Sequence, residues 1–549
     1  MSLTEPTPAP VAEATPVAPP PAADAPAPLS GRVAAAAAGL VVLHVVLAWL
    51  VRQPAVTTGN DDALYLLLAR ALRAGTYRDL HVLGHPWHSQ YPPGYPLLLA
   101  LFGGTLGPGI TGAVTFGILA SAVTLVAVFD VARRHLPPLY ALTLLALLAV
   151  SPHLLAFAGS VRSETPYILL TVASLWLLVV LPGRRAAVLA GTALAVLAAL
   201  TRSVGLAIVL ALGLVWVWER RWARVGWLAL AGGITVGLWM LWMFKAPEQF
   251  EARSYGVMLK LGSPTERTPL GLVQGRVMRA VQAFLLDGGL GSALGLPRIP
   301  GTSLDNLVGM GGTLALAAVG MVASRQWSRL VSAYLLVYAA LLVVWTYKLT
   351  RFLIPLTPIL LLFMVVGIWA MSRRWKPLPR ALFLGGVALF YLAGGVQGFG
   401  RNYAETGGCP ADDVSTPDAC LTDNQRDFFR AVRFLRDSTP PTTIVISTKE
   451  AVLGLYTGRP ELHGQALHVR YGDPFLEGLR RQGEAIFVLT TLHLWHVPDE
   501  MVAQCDQFEL VRAYANGTDL VRLKPAGAPG PDACPVIQYH AARFTPPLK

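Results

Sequence analysis

The sequence predicts a polytopic α-helical membrane protein with a small extracytoplasmic α/β domain at its carboxyl end. Of its 549 residues, 54% are hydrophobic and only 14% are charged, and the mean hydropathy is +0.51. Many apolar stretches approach the length of about 20 residues that a helix needs to cross a bilayer. These observations exclude an ordinary soluble multidomain protein of this length.

Eleven apolar stretches are predicted to be membrane spans. A further apolar segment, 96–106, is too short to span comfortably. It is expected to be a re-entrant or juxtamembrane helix, or half of an extra hairpin, so the predicted count is eleven to thirteen. The eleven stretches lie near residues 32–51, 111–131, 138–157, 164–181, 186–200, 203–218, 225–244, 304–323, 328–347, 351–371 and 380–398.

Arginine clusters occupy every second connection between these spans. The positive-inside rule places such connections in the cytoplasm. The sequence therefore predicts a multi-pass plasma (inner) membrane protein, and the rule orients it with a cytoplasmic amino terminus and an extracytoplasmic carboxyl-terminal domain. The net charge of +12 is then a topology signal, and no nucleic-acid partner is expected. The clusters are Arg133-Arg134, Arg184-Arg185, Arg220-Arg221 with Arg224, Arg325 with Arg329, and Arg373-Arg374 with Lys376 and Arg380.

Composition divides the chain into three parts. Residues 1–30 contain Pro and Ala repeats and no Lys or Arg, which is typical of a disordered cytoplasmic tail. Residues 31–400 form the membrane domain, with predicted outer loops at 52–95 and 245–303. Residues 401–549 form the α/β domain. Its signals are the helical spacing of Phe428, Val432 and Leu435 and strand-like segments near 443–447, 486–489, 508–511 and 520–523.

All four cysteines lie in the last of these parts, at positions 409, 420, 505 and 534. This distribution suits an oxidising compartment outside the cytoplasm. Three disulfide connectivities are possible, and sequence proximity favours Cys409 with Cys420 and Cys505 with Cys534. Four unpaired buried thiols are the alternative.

Two adjacent carboxylates, Asp61 and Asp62, follow the first span, and the same loop closes with Gln-Tyr-Pro-Pro-Gly-Tyr-Pro at 90–96. A carboxylate beside the membrane can accept a proton from an acceptor hydroxyl. Adjacent helical positions diverge by about 100°, so one acid is expected to be catalytic and the other supporting. The alternative is a helix N-terminus, with Asn60 or Asp61 as the N-cap and the acids complementing the dipole. The two roles are compatible.

Glu164 follows Arg162 at the head of a predicted span. An ionisable residue there is a candidate site residue, and the alternative is a helix N-cap formed by Ser163 with Glu164.

Three basic residues, Arg202, Lys348 and Arg351, lie in short turns between apolar runs on the same predicted face. They can extend to the lipid headgroups, and an arginine in this place can also bind a lipid phosphate bidentately.

Three histidines at positions 81, 85 and 88 have the composition of a metal site. Pro86 interrupts the helix that would place them on one face, so a metal site is not favoured. The sequence also contains no Walker motif and no nucleophile elbow, so nucleotide hydrolysis has no support.

These motifs together resemble the GT-C integral-membrane glycosyltransferases, especially the protein mannosyltransferase and aminoarabinose lipid A transferase branch (glycosyltransferase families 39 and 83). The likeness runs in order over most of residues 32–525. The motifs are Asp61-Asp62-Ala63-Leu64-Tyr65, residues 90–96, Arg162-Ser163-Glu164, Leu200-Thr201-Arg202, Arg351-Phe352-Leu353-Ile354-Pro355 and Leu455-Tyr456-Thr457-Gly458-Arg459-Pro460.

The resemblance implies sugar transfer, with inversion, from a polyprenyl-phosphate-linked donor to a hydroxyl of a protein, lipid or glycan on the outer face. The other partners would be membrane lipids. Asp61 matches the first of the family's paired acids and would be the general base. Asp62 takes the second place, where the family often has Glu, and Glu164 matches a position that is frequently Asp.

The resemblance also suggests which residues bind substrate. Arg202, Lys348 and Arg351 would bind the donor phosphate. Some relatives use a divalent metal and others do not; no extended acidic metal motif is present, so metal independence is favoured and no other cofactor is expected. The further substrate-binding candidates are Tyr65, Arg70, Tyr91 and Arg162.

Two other functions compete with this one. A transporter or flippase of lipid-linked sugars would place polar groups near mid-bilayer and repeat one half of the chain, and the sequence shows neither. A surface-polysaccharide polymerase or ligase usually centres on outer-loop Arg and His rather than on an early acid pair.

Overall fold

The structure, a computed structural model, describes most of the chain. Apart from residues 29 and 30, the predicted tail 1–30 lies outside the described residues, and so does much of the predicted loop 245–303. The described ranges are 29–56, 60–103, 105–106, 109–245, 269–297, 304–345, 347–407, 409, 418–447, 449–458, 462–463, 473–492, 497, 499–525 and 527–544.

Helices form the membrane part, and each predicted span coincides with helical structure. Differences occur within the predicted loop 245–303, where two helices are found, α11 at Pro269–Val281 and α12 at Gly289–Ala293. The helices are α1 Gly31–Leu50, α2 Asn60–Arg73, α3 Gly94–Leu98, α4 Gly109–His135, α5 Pro138–Ala149, α6 Pro152–Ala158, α7 Glu164–Val180, α8 Arg185–Thr201, α9 Leu206–Trp218, α10 Trp222–Lys245, α11 Pro269–Val281, α12 Gly289–Ala293, α13 Leu304–Ala323, α14 Arg329–Val344, α15 Thr357–Ser372 and α16 Pro377–Thr406.

Among the described residues, five helices are long and apolar enough to cross a membrane. A sixth span is formed if α5 and α6 are counted together, since they meet at a bend of 56°. Pro152 starts α6 there, and a proline cannot continue the hydrogen bonding of the preceding helix. Other apolar helices have 10–17 residues. The five are Gly31–Leu50, Gly109–His135, Trp222–Met243, Thr350–Ser372 and Pro377–Thr406.

Connections that carry the arginine clusters meet at one end of the helix bundle. His135 stacks on Trp327 with the ring centroids 4.1 Å apart, and Arg224 donates to the Pro182 carbonyl at 2.8 Å. The sequence predicts this grouping, because all these connections were assigned to the cytoplasm. The side of the membrane that they face stays a prediction.

The carboxyl-terminal part contains a five-stranded mixed sheet. Its strands are β1 Ile444–Ser447, β2 Leu462–His463, β3 Ala485–Thr490, β4 Phe508–Ala513 and β5 Thr518–Leu523. Their order in the sheet is β2-β1-β3-β5-β4. β1 is parallel to β2 and β3, whereas β5 is antiparallel to β3 and β4. The four predicted strands are confirmed, and β2 is an additional short one. The helices of this part are α17 Asp423–Ser438, α18 Glu450–Thr457, α19 Asp473–Gln482, α20 Asp499–Ala503 and α21 Cys534–Phe544.

Local signals in this domain behave as the sequence predicts. Phe428, Val432 and Leu435 are fully buried on one face of α17. The helix begins with a capping box, in which the Thr422 side chain accepts from the Gln425 N–H. Disulfides join Cys409 to Cys420 and Cys505 to Cys534, so the favoured connectivity is confirmed.

This domain packs against the end of the bundle that lies opposite the arginine clusters. The Val56 N–H donates to the Tyr456 hydroxyl at 2.9 Å, and α18 packs on α2. Buried residues of both parts, including Leu68 and Val452, belong to one continuous hydrophobic core. Burial of shared apolar surface fixes α18 beside the two aspartates.

Candidate functional site

The paired acids lie in the first turn of α2, where negative side chains are favoured by the helix dipole. They differ in environment, since the side chain of Asp61 is 28% exposed and that of Asp62 is 2% exposed. The two acids and four residues around them form the acid–arginine cluster: Asp61, Asp62, Arg162, Glu164, Arg202 and Arg351.

Asp61 is held at both oxygens. Arg351 donates from both terminal nitrogens to Oδ2 at 3.1 Å, and the Tyr91 hydroxyl donates to Oδ1 at 2.7 Å. Burial favours the neutral acid, but the guanidinium of Arg351 and the hydroxyl of Tyr91 outweigh it and hold the pKa of Asp61 below its ordinary value. Asp61 is therefore ionised, oriented and open to solvent on one side.

Asp62 has weaker support. Its Oδ2 lies 3.8 Å from Arg162 Nη2 and accepts no hydrogen bond among the described residues. Burial, only partly offset by Arg162, and the charges of Asp61 and Glu164 raise the pKa of Asp62 to about 6. Two neighbouring carboxyl groups thus have different proton affinities because their surroundings differ.

Glu164 is buried with a cation of its own. Arg202 Nη1 lies 2.7 Å from Glu164 Oε1 and donates to Ser163 Oγ at 2.8 Å. The Tyr65 and Ser163 hydroxyls are 3.2 Å apart. Ser163 is the N-cap residue of α7, as the alternative interpretation expected, but its side chain makes no capping hydrogen bond. Its hydroxyl contacts Arg202 and Tyr65 instead.

Close backbone packing brings the sequence motifs together. A Cβ on Gly94 would lie 2.6 Å from the Leu200 carbonyl, so only glycine allows α3 to approach the end of α8 this closely. The rings of Tyr65 and Tyr91 have centroids 5.0 Å apart, and those of Tyr65 and Tyr95 are 4.8 Å apart. The motif 90–96 therefore lies against α2 and the turn that carries Arg202.

Two predicted site residues do not contact the acid–arginine cluster. Arg70 is exposed in the last turn of α2, near Arg73. Lys348 closes the carboxyl end of α14, where it donates to the carbonyls of Leu342 at 2.7 Å and Val343 at 2.9 Å. A helix carboxyl end attracts such a cation.

Lys348 belongs to a second group, the basic cluster, together with Arg276 and Arg279 of α11. Arg276 Nη1 donates to the Val344 carbonyl at 2.8 Å. Burial and the two arginines lower the pKa of Lys348 to about 8. The sequence prediction missed both arginines because it assigned 245–303 to a loop. Residues 269–281 form an amphipathic helix instead, and its helical spacing of apolar residues was the signal for it.

A further residue that sequence reasoning missed is Lys449, which directly precedes α18. Its side chain is buried. Burial lowers the pKa of Lys449, whereas the charges of Asp62 and Asp61 act in the opposite direction, so the lysine lies within electrostatic range of both acids. No sequence pattern near Lys449 links it to residues almost 400 positions earlier.

The three predicted histidines lie in different surroundings. His81 is buried, His85 is exposed, and His88 is paired with Asp79. The described residues contain no group of three or more His, Cys, Asp or Glu side chains arranged to hold a metal ion.

Comparison with known proteins identifies the fold. No family model and no curated protein matches the sequence. The structure is similar to ArnT from Cupriavidus metallidurans bound to undecaprenyl phosphate, with 12% identity, a TM-score of 0.58, and coverage of 91% of this chain and 99% of that chain. The apo state of that protein gives 15% identity, a TM-score of 0.57, and coverage of 89% and 98%.

A second class of structure matches as well. The oligosaccharyltransferase from Archaeoglobus fulgidus, tethered with an acceptor peptide, has 10% identity and a TM-score of 0.51, over 82% of this chain and 68% of that chain. All of these proteins are GT-C glycosyltransferases. The chain therefore has the GT-C fold, as the motifs predict.

Proposed function

We propose that this protein is an inverting glycosyltransferase that moves a sugar from a polyprenyl-phosphate-linked donor to a hydroxyl acceptor on the outer face of the membrane. The observation that carries the proposal is the Asp61 carboxylate, which Tyr91 and Arg351 hold at 2.7 and 3.1 Å while one side stays open. The ArnT structure bound to undecaprenyl phosphate supports the donor class.

Asp61 acts as the general base. It takes the proton of the acceptor hydroxyl while the acceptor oxygen forms a bond to the anomeric carbon. The bond from that carbon to the phosphate oxygen breaks on the opposite face, and the lipid phosphate leaves with the electron pair. Arg351 and Tyr91 orient the carboxylate, while Arg202 neutralises the neighbouring Glu164.

The basic cluster binds the donor phosphate. Lys348, which the sequence assigned to this role, is joined by Arg276 and Arg279. A phosphate beside them would supply the negative charge that restores the ordinary proton affinity of Lys348, and the cations would stabilise the charge that develops on the leaving group. Only three positions separate Lys348 from Arg351, so one short segment joins the phosphate site to the arginine that holds the base.

Arg351 and Arg202 stay candidates for phosphate contact, although each already has a carboxylate partner. The side chain of Arg351 is 32% exposed, so it can contact the donor from its open side. Arg202, at 14% exposed, is better suited to hold Glu164.

The test is a transfer assay with purified protein in nanodiscs. Polyprenyl-phosphate sugars extracted from the source organism serve as donors, and release of free polyprenyl phosphate is measured by mass spectrometry. Wild-type protein should release free polyprenyl phosphate in the presence of acceptor, and Asp61→Asn should not. If Asp61→Asn turned over at the wild-type rate, Asp61 would not be the general base.

A deletion strain identifies the substrates. Mass spectrometry of its surface glycans and envelope proteins would show which sugar is missing and from which acceptor.

A further inference from the structure

A buried aspartate–histidine pair lies behind the tyrosine that binds Asp61. Asp79 Oδ1 and His88 Nδ1 are 2.8 Å apart, and the side chains are 6% and 1% exposed. Burial of polar groups is costly unless they are hydrogen-bonded. The mechanism proposed above does not use this pair.

The hydrogen bonds fix which nitrogen of His88 carries the proton. The Tyr91 backbone N–H donates to His88 Nε2 at 2.8 Å. A backbone N–H can only donate, so Nε2 must be unprotonated and Nδ1 must hold the proton. Nδ1 then donates to Asp79, which fixes the tautomer and the ring orientation.

Tyr91 is held from several directions. Its N–H is bound by His88, and its carbonyl accepts from the Tyr77 hydroxyl at 2.8 Å. The ring stacks on His88, with centroids 5.7 Å apart and planes 25° from parallel. Tyr91 reaches the acids through its hydroxyl, at 2.7 Å from Asp61 Oδ1.

The loop that carries this pair is anchored to α10. Trp242 Nε1 donates to the His88 carbonyl at 2.9 Å, and Trp242 packs edge-on against Trp87. The Asp79 N–H donates to the Pro86 carbonyl at 2.9 Å. These contacts give the pair a rigid base.

We propose that Asp79 and His88 are positioning residues that fix Tyr91 and, through its hydroxyl, set the orientation of the Asp61 carboxylate. The inference rests on the proposed role of Asp61. With Oδ1 held by Tyr91 and Oδ2 held by Arg351, the carboxylate plane is set before an acceptor binds. A catalytic group displaced by about 1 Å can lose up to 100-fold in rate.

Kinetics of single and double variants test the pathway. His88→Gln keeps an acceptor for the Tyr91 N–H but has no donor at the position of the imidazole Nδ1, which binds Asp79. Tyr91→Phe removes the hydroxyl bond to Asp61. Each should lower kcat by about tenfold and leave the donor KM unchanged. The double variant should lose no more than either single variant, because both act on one bond. A multiplicative loss in the double variant would overturn the proposal.

His85→Asn is the matched control. His85 is exposed in the same loop and has φ of 45°, a conformation that asparagine also adopts. Its kcat should equal that of the wild type. A loss as large as that of His88→Gln would mean that any change in this loop disturbs the site.

An activity-free measurement separates this inference from the proposed function. The carboxyl ¹³C signal of Asp61, assigned by its disappearance in Asp61→Asn, should titrate at higher pH in both variants. Tyr91→Phe removes the hydroxyl bond that favours the carboxylate, and His88→Gln weakens the same bond because it displaces Tyr91. An unchanged titration in His88→Gln would refute the positioning role. If the titration shifts but wild-type protein transfers no sugar, the proposed function fails and the positioning role stands. Asp79→Asn repeats the test should His88→Gln not fold.

Discussion

The acid–arginine cluster and the basic cluster are joined by one short segment, 348–351, yet their charges are arranged in opposite ways. In the acid–arginine cluster each carboxylate faces a guanidinium, at 2.7 Å for Glu164 and 3.1 Å for Asp61. In the basic cluster, the two charged groups among the described residues that act on Lys348 are both cations.

This difference indicates what each cluster can bind. A cluster of paired charges holds a reactive carboxylate in a fixed place without attracting a charged ligand strongly. Like charges beside one another repel, and an anionic group that binds next to them relieves part of that repulsion. The comparison predicts that changes in the first cluster affect the chemical step and that changes in the second affect donor binding.

The largest effect is expected for Asp61→Asn. Loss of the general base should lower kcat by about 10²–10⁴-fold, with little change in donor KM. Turnover of a purified donor measures it. Asp423→Asn is the control, since Asp423 is also a first-turn acid paired with an arginine, at 2.9 Å from Arg426. An equal loss in both variants would contradict a specific role of Asp61.

The next largest effect concerns the basic cluster. Arg279→Gln and Lys348→Met should each raise the donor KM by about tenfold or more, because a charge-assisted hydrogen bond contributes about 1.5–3 kcal/mol. The value of kcat should change little. Arg279→Gln leaves the lysine bonds to the α14 carbonyls intact, so it tests phosphate binding apart from helix stability.

Lys376→Met serves as the control for the basic cluster, since Lys376 is exposed in a connection at the arginine-cluster end. If Arg279→Gln and Lys348→Met both leave the donor KM unchanged, the donor phosphate binds at another site.

A smaller effect should separate the two neighbouring acids by thermal stability. The pKa of Asp61 is lower in the folded protein than its ordinary value of 3.8, so its ionised form stabilises the fold above that pH. The pKa of Asp62 is raised to about 6, so the fold loses stability as pH rises from about 4 through 6. At pH 8, Asp61→Asn should lower Tm and Asp62→Asn should raise it, each on the order of 2 °C.

The opposite signs are the decisive feature of that experiment. The Tm advantage of Asp62→Asn should shrink as pH falls towards 4, where wild-type Asp62 is also neutral. Equal Tm changes of one sign for both variants would mean that the acids share one environment.

The smallest effect is expected for Lys449→Met. Lys449 favours the ionised form of Asp62, so its loss should raise the pKa of Asp62 further. The Tm change caused by Asp62→Asn would then appear at higher pH in the Lys449→Met background than in the wild-type background. Lys524→Met, a change in the same domain, should leave the pH at which this Tm change appears unaltered. If this pH does not change with Lys449→Met, the α/β domain does not influence the charge of the site.

Part of the site could be predicted from single residues. Charged residues beside apolar spans are costly, so Asp61, Glu164 and Arg202 were recognisable as candidates, and in the structure all three lie within electrostatic range of Arg351. Arg276 and Arg279 were missed because the connection 245–303 was assigned to a loop, although the spacing of its apolar residues indicated a helix. Lys449 was missed because its partners lie in another part of the chain.

The sequence by itself determined the apolar spans, the grouping of arginine connections, the strands of the α/β domain and the order of the motifs. These features depend on hydrophobicity and local spacing, which any short stretch of sequence contains. Tertiary structure decided which cation meets which acid, as with Asp61 and Arg351, 290 positions apart. Ion-pair distance and burial set the proton affinities of Asp61 and Asp62, and both arise only when distant segments pack together.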